Sequence, residues 1–307
     1  MNTVEGLVVR VDARQCDVEI AGEMRAALMR GRLFENRGID KMPIAVGDRV
    51  MLHENGDELA IQEVLPRDNL FARRVTGEET RRQLLAVNVD QVVIVACFGT
   101  PPFSSITTDR ILAACSFASI PAVLVLNKSD KAKRGKRRRV METYQTGGFK
   151  IIETSAADET GIDDFADVVR GKRSVLYGLS GVGKSSLLNL IESGLGLKTR
   201  EISKSLKSGR HTTTFARLYH LEMGGSVIDT PGVRAFRPHG IPSGELRLHW
   251  PEFAELGREC DYDDCTHRHE PGCKVTAAVD ADEIAASRYR SYESLLCELE
   301  EIEANRD

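Results

Sequence analysis

Ser174-Val175-Leu176-Tyr177-Gly178-Leu179-Ser180-Gly181-Val182-Gly183-Lys184-Ser185-Ser186-Leu187-Leu188-Asn189-Leu190 is the stretch that decides the fold. A short apolar run enters a glycine-rich loop, and a helix-forming run leaves it. A phosphate-binding loop needs that context. Glycines let the loop curl until backbone N–H groups converge on an anion at the helix N-terminus. Lys184 is expected to reach the β- and γ-phosphates of a nucleotide, and the Ser185 hydroxyl to bind Mg²⁺. Gly178, Leu179, Ser180, Gly181, Val182, Gly183 and Ser186 complete the cradle. The plain alternative is a glycine-rich turn before a helix.

Asp229-Thr230-Pro231-Gly232 lies at the end of an apolar run, 45 residues after Lys184. At that spacing Asp229 is expected to hold the Mg²⁺ shell through water, and the Gly232 N–H to contact a γ-phosphate. Between them, Gly209-Arg210-His211-Thr212-Thr213-Thr214 occupies the place of a first switch. Thr213 is the threonine expected to complete the Mg²⁺ coordination; a simple β-edge also suits such sequence.

Asn127-Lys128-Ser129-Asp130 ends another apolar run. Its aspartate can accept two hydrogen bonds from guanine N1–H and the 2-amino group. Adenine lacks that donor pair, so a carboxylate there would be left unpaired and ATP rejected. The Lys128 stem is expected to pack on the base. Thr154-Ser155-Ala156 follows, and the backbone of Ser155 and Ala156 can contact guanine O6. The base-reading motif thus precedes the phosphate loop, the reverse of the ordinary GTPase order. Nucleotide loops lie at the carboxyl ends of parallel strands. Joining the usual last helix, Ile162 to Val169, to the usual first strand, Ser174 to Tyr177, keeps every loop in place.

Residues 85 to 235 alternate strand and helix, which means a doubly wound, mostly parallel sheet. Residues 1 to 68 read as all-β, with about five short strands in a small barrel. An OB-fold leads and a generic SH3-like barrel is the alternative. The expected division is a barrel over 1–68, a circularly permuted GTPase domain over 69–235, and a helical metal-binding segment over 236–307.

In that last segment Cys260, Cys265, His267 and Cys273 supply three thiolates and an imidazole, the donor set of a closed, structural Zn²⁺ site. His269 is equally close in sequence. Few large apolar residues surround the cluster, so the metal is expected to hold the segment together. Gly232 stands 28 residues ahead of Cys260, a short tether between a γ-phosphate sensor and the metal.

The net charge of −4 excludes a globally basic nucleic-acid binder. Seven Lys/Arg and no acid fall between Lys131 and Arg139. That run is either a phosphate-gripping patch or a solvated helix face. No export signal or membrane-length apolar run is legible. A cytoplasmic protein without a membrane partner is expected, and a monomer.

Gly-x-Ser-Gly-Val-Gly-Lys-Ser-Ser-Leu, His-Thr-Thr-Thr and Asp-Thr-Pro-Gly-Val-Arg, in this order, resemble the circularly permuted GTPases. The flanking barrel and the cysteine cluster make the chain similar to the RsgA (YjeQ) family. That resemblance implies GTP hydrolysis to GDP and phosphate, stimulated by the small ribosomal subunit late in that subunit's maturation, with rRNA bound. It implies an OB-fold for the barrel and His267 rather than His269 as zinc ligand. The glutamine that orients water in many GTPases is replaced by Val233. The resemblance assigns that work to His211, with Lys184 and Thr213 beside it; a solvated histidine is the alternative. The competing function is an RNA- or protein-binding module whose nucleotide site is mainly structural.

Overall fold

A computed structural model describes residues 3–56, 58–195, 216–230 and 235–305. His211, Thr213, Gly232 and Val233 lie outside the described residues. The N-terminal strands are β1 (Thr3–Val11), β2 (Gln15–Ile20), β3 (Glu23–Met29), β4 (Arg49–Asn55) and β5 (Glu58–Val64), with a short helix α1 (Gly31–Glu35) after β3. β1, β2 and β3 form an antiparallel meander, β3 meets β5 in parallel, β5 pairs with β4, and β4 returns to β1. The ring of pairings is closed, so the barrel has no free edge within it. Val8, Val18, Ala27, Val50, Leu52 and Ile61 fill its interior.

Next comes a hairpin, β6 (Leu70–Val75) and β7 (Glu78–Val87), which forms a separate two-stranded sheet. The sequence pattern predicts no strands here. The hairpin carries Phe71, which stacks on Phe236 at 5.7 Å and meets Tyr177 edge-on at 5.4 Å.

The alternating segment runs β8 (Gln91–Cys97), α2 (Ser105–Phe117), β9 (Ala122–Asn127), α3 (Arg134–Thr146), β10 (Lys150–Glu153), α4 (Ile162–Val169), β11 (Arg173–Tyr177), α5 (Lys184–Ile191), β12 (Arg217–His220) and β13 (Ser226–Asp229). Its strand order is β10-β9-β8-β11-β13-β12. All pairs are parallel except β12 with β13. The strands read as continuous apolar runs because both faces are covered. Ile111, Leu112 and Tyr144 pack on one face; Phe165, Val169, Leu187 and Leu188 pack on the other.

Arg10 of β1 pairs with Arg217 of β12, so barrel and central sheet are one 11-stranded sheet. Glu19 and the His220 Nε2 meet across that join at 2.6 Å.

The C-terminal segment contributes α6 (Pro251–Leu256), α7 (Lys274–Asp280) and α8 (Ala286–Ala304). Helix α8 lies along α2. Tyr292, Leu295, Leu296 and Leu299 form its buried face; Ile284 is buried just ahead of the helix and Tyr289 is half-buried. Buried charge crosses the contact. Arg288 on α8 donates to Asp109 on α2 at 2.6 Å and to both Glu252 oxygens at 2.7 and 3.0 Å. The Tyr144 hydroxyl donates to the same Asp109 oxygen at 2.8 Å. The guanidinium lies 4.9 Å over the Trp250 ring. Farther along α8, Glu298 pairs with Arg74 at 3.2 Å and Arg110 at 2.5 Å.

Burial raises the Asp109 pKa and the Arg288 charge opposes that rise. Removing one partner of such a pair is more costly than removing both. Arg288→Met is therefore expected to destabilise the chain by about 3 kcal/mol, with Asp109→Leu/Glu252→Leu/Arg288→Met recovering most of it. Denaturant unfolding of the two variants checks this; an unchanged midpoint for Arg288→Met would show the pair to be dispensable.

Candidate functional site

Strands β9, β11 and β13 all point their carboxyl ends at one rim of the sheet, and the three motifs sit there. β9 ends in Asn127, β11 runs into the glycine-rich loop, and β13 ends in Asp229.

The loop closes because two glycines leave room. A Cβ on Gly178 would overlap the Val95 carbonyl, and one on Gly183 would overlap the Asn127 amide. Gly183 also takes φ +104°, a conformation that disfavours other residues. α5 begins immediately afterwards at Lys184. The Lys184 ammonium is buried and donates to the Gly178 carbonyl at 2.9 Å and Leu179 carbonyl at 3.4 Å. Burial lowers its pKa, and the negative charge of Asp229 works the other way. Burial likewise raises the Asp229 pKa against the pull of Lys184. One oxygen of Asp229 is buried without a hydrogen-bond partner among the described residues. Next to it, the Thr230 hydroxyl donates to the Leu176 carbonyl at 2.8 Å and ties the end of β13 to β11.

Asn127 joins the Asn-Lys-x-Asp motif to the loop. Its amide nitrogen donates to the Val182 carbonyl at 2.8 Å, and its oxygen accepts from the Thr154 hydroxyl at 3.1 Å. Lys128, in a left-handed conformation, spans the same gap and donates to Thr100 at 2.5 Å and Gly181 at 2.6 Å. Ser129 N–H donates to the Thr154 carbonyl at 3.1 Å. Ser155 is fully buried, and its hydroxyl donates to the exposed Asp130 carboxylate at 2.9 Å. Ala156 follows it, half-buried. The structure therefore sets Asn127 and Lys128 against residues 178–185, with Asp130 and Ser155 joined to each other. The sequence offered no sign that Asn127 faces the loop, nor that Thr100 and Thr154 take part. These are side-chain to backbone contacts between segments far apart in the chain.

A second site lies beyond α6. Ligand atoms of Cys260, Cys265, His267 and Cys273 all fall within 4.8 Å of one another. His267 presents Nδ1, 3.4 Å from Cys273 Sγ and 3.7 Å from Cys260 Sγ. The Cys260 and Cys273 sulfurs are 4.0 Å apart. Thiolates at ~2.3 Å from a tetrahedral ion stand about 3.8 Å apart, so the cluster fits a zinc-sized metal. Backbone N–H groups of Lys274 and Thr276 donate to Cys260 and Cys273 at 3.4 Å each, as they would to thiolates. His269 is exposed and outside the cluster. Glu270, missed in the sequence, organises the loop by accepting from Thr266 N–H at 2.7 Å, its hydroxyl at 2.6 Å, and Arg268 N–H at 3.0 Å. The expectation of few apolar neighbours holds only for the loop. Phe253, Tyr289 and Tyr292 surround His267, and Trp250, Val275 and Leu295 extend the same core. They come from helices on both sides of the cluster, which a local reading does not combine.

A glycine-rich Gly-x4-Gly-Lys-Ser loop between strand and helix, an Asn-Lys-x-Asp motif before it in the chain, and a Cys/His cluster that could hold a metal are the features of a circularly permuted P-loop GTPase. The model of the family described as RsgA GTPase matches residues 64–238. A protein of Bordetella pertussis named small ribosomal subunit biogenesis GTPase RsgA is 41% identical, with 97% of each chain covered. One of that name from Chlorobaculum parvum is 36% identical, over 97% of this chain and 99% of its own. Among solved structures, YjeQ from Thermotoga maritima superposes with TM-score 0.73 at 33% identity, covering 97% of this chain and 99% of that one. YloQ, described as a circularly permuted GTPase, gives TM-score 0.68 at 27% identity, with 98% and 96% covered. The chain belongs to the RsgA GTPase family. No helix among the described residues is long and apolar enough to cross a membrane.

Proposed function

We propose that this chain hydrolyses GTP to GDP and phosphate and acts in maturation of the small ribosomal subunit, binding its rRNA. The observation that carries the nucleotide reading is the Asn127 amide on the Val182 carbonyl, which fixes the base reader against the phosphate cradle across 55 residues of chain. Asp130, aimed by Ser155, reads the guanine edge; Lys128 covers the base; the Ser155–Ala156 backbone meets O6. Backbone N–H groups from Gly178 to Ser186 hold the phosphates, with Gly232 at the γ-phosphate. Lys184 leaves its carbonyl partners for the β- and γ-phosphates, where its charge answers the one that builds on transfer. The unpaired Asp229 oxygen suits the water shell of Mg²⁺, with Ser185 and Thr213 as further ligands. That ion supplies neutralisation of phosphate charge. His211 orients the attacking water. The three segments divide the work: the barrel and the helical tail bind the subunit, and the central domain turns over nucleotide. Zn²⁺ on Cys260, Cys265, His267 and Cys273 is structural. We place the protein in the cytoplasm, acting as a monomer.

GTP turnover with and without small ribosomal subunits tests this. Stimulation is expected for the wild type. His211→Ala should keep GTP affinity and lose stimulated turnover by about tenfold or more. Absence of stimulation and of co-sedimentation would refute the ribosomal assignment; full turnover in His211→Ala would refute the histidine's role.

A further inference from the structure

We infer that the approach to α3 and its first turns, from Lys131 to Arg139, form a docking surface for the phosphate backbone of RNA. All seven Lys/Arg side chains of this run are exposed. Among the described residues, two have carboxylate partners: Arg137 with Glu153 at 2.5 Å and Arg138 with Glu142 at 3.6 Å. Lys131, Lys133, Arg134, Lys136 and Arg139 have none among the described residues, so five cations stand within nine residues without an acid to answer them. Packing does not require them. Val140, Met141 and Tyr144 supply the contacts of α3 with the sheet and with α2. Helix stability opposes them too. Acids are favoured in a first turn, and the first turn of α3 has none. A polyanion removes both the mutual repulsion and the unfavourable dipole interaction.

The surface favours nucleic acid over lipid. No large hydrophobic residue between 128 and 150 is among the strongly exposed ones, so nothing there would enter a bilayer. Lys136 and Arg139 lie one turn apart on the same flank of the helix, a spacing suited to successive backbone phosphates. The position also has consequences for the nucleotide. A single 3₁₀ turn, Ser129–Lys131, leads from the guanine reader straight into the patch, and Tyr144 at the far end binds Asp109, the partner of Arg288 on α8. RNA held there touches an element fastened at one end to the base pocket and at the other to the C-terminal helix.

The choice of RNA rests on the proposed action at the small subunit, and the test separates the two. The full chain and a K133Q/R134Q/K136Q/R139Q variant are titrated with a short RNA hairpin across a salt series, without ribosomal subunits. All four side chains are exposed, so GTP affinity and the unfolding midpoint should match the wild type and certify the fold. The variant is expected to bind RNA at least about tenfold more weakly at physiological salt. Its slope of log affinity against log salt should be shallower by about 0.7–0.9 for each phosphate that is no longer neutralised. Equal affinity and equal slope would overturn the surface, whether or not subunits stimulate turnover. Unchanged RNA binding with lost binding to vesicles containing phosphatidylserine would overturn it in favour of a lipid headgroup. If the slope falls as expected but subunits do not stimulate GTP turnover, the surface stands and the ribosomal reading fails.

Discussion

Asp130→Asn is expected to lower GTP affinity by about a thousandfold and to give the chain affinity for xanthosine triphosphate. A carboxylate offers acceptors to both guanine donors, N1–H and the 2-amino group. An amide keeps one acceptor and turns an N–H donor toward the other, so two donors face each other and one guanine bond is lost outright. Xanthine carries a carbonyl at the 2-position and accepts that donor. The structure makes the exchange clean. Asp130 is exposed, so the change leaves packing untouched. The Ser155 hydroxyl that aims it at 2.9 Å can donate equally to an amide oxygen. Asn127 and Lys128 bind the loop rather than Asp130, so the phosphate cradle stays assembled. Competition between the two nucleotides for a fluorescent analogue reads the result. Wild-type GTP affinity in the variant would place the base elsewhere.

Much of this site could be read from the chain because its chemistry is local. A strand, a glycine loop and a helix occupy consecutive residues, so composition alone places β11, the loop and α5 where the structure has them. The reversed order was readable for the same reason: each motif keeps its strand, whatever joins the strands. What escaped the sequence is contact between distant segments. The alternation of β1 predicts a strand but not that Arg10 would pair with Arg217 and carry the barrel sheet into the central one. β6 and β7 escaped because Arg73, Arg74, Arg81 and Arg82 interrupt their apolar pattern. Arg74 is in fact buried, with Glu298 of the C-terminal helix as its partner. The short tether from Gly232 to Cys260 suggested a route along the chain to the metal domain. A further buried link, which the sequence did not reveal, runs through α2 and α8, where Asp109 holds Arg288. A charged residue looks solvated in a sequence until its partner, here 179 residues away, is known.

Removal of the metal is expected to unfold the segment around residues 257–280 while leaving nucleotide binding within about twofold, because the two sites share no ligand. In a structural site the binding free energy is folding free energy, on the order of 10 kcal/mol for zinc at neutral pH. Glu270, the Tyr289 and Tyr292 hydroxyls and the Arg268–Glu300 pair hold the Thr266–Glu270 part of the loop, but Cys260 and Cys273 are tied to that part chiefly through the metal. The loop's apolar contacts come from helices outside it, and α7 starts on Cys273, whose sulfur accepts the Thr276 N–H. Burial pushes the Cys265 thiol up to about 12. Beyond the loop the outlook differs. α8 remains fastened to α2 through Arg288 with Asp109 and Arg110 with Glu298. Loss of metal should therefore open the loop and α7 without detaching α8. The single tryptophan, Trp250, is fully buried, 5.6 Å from Tyr292 and in the same core as the cluster. Chelation, or Cys265→Ala, should shift its emission to the red and remove hydrogen-exchange protection from residues 257–280, with protection of α8 and α5 retained. One equivalent of zinc per chain should be lost in step. Unchanged emission and exchange after the metal is shown to be gone would mean that the aromatic core, not the ion, holds the segment.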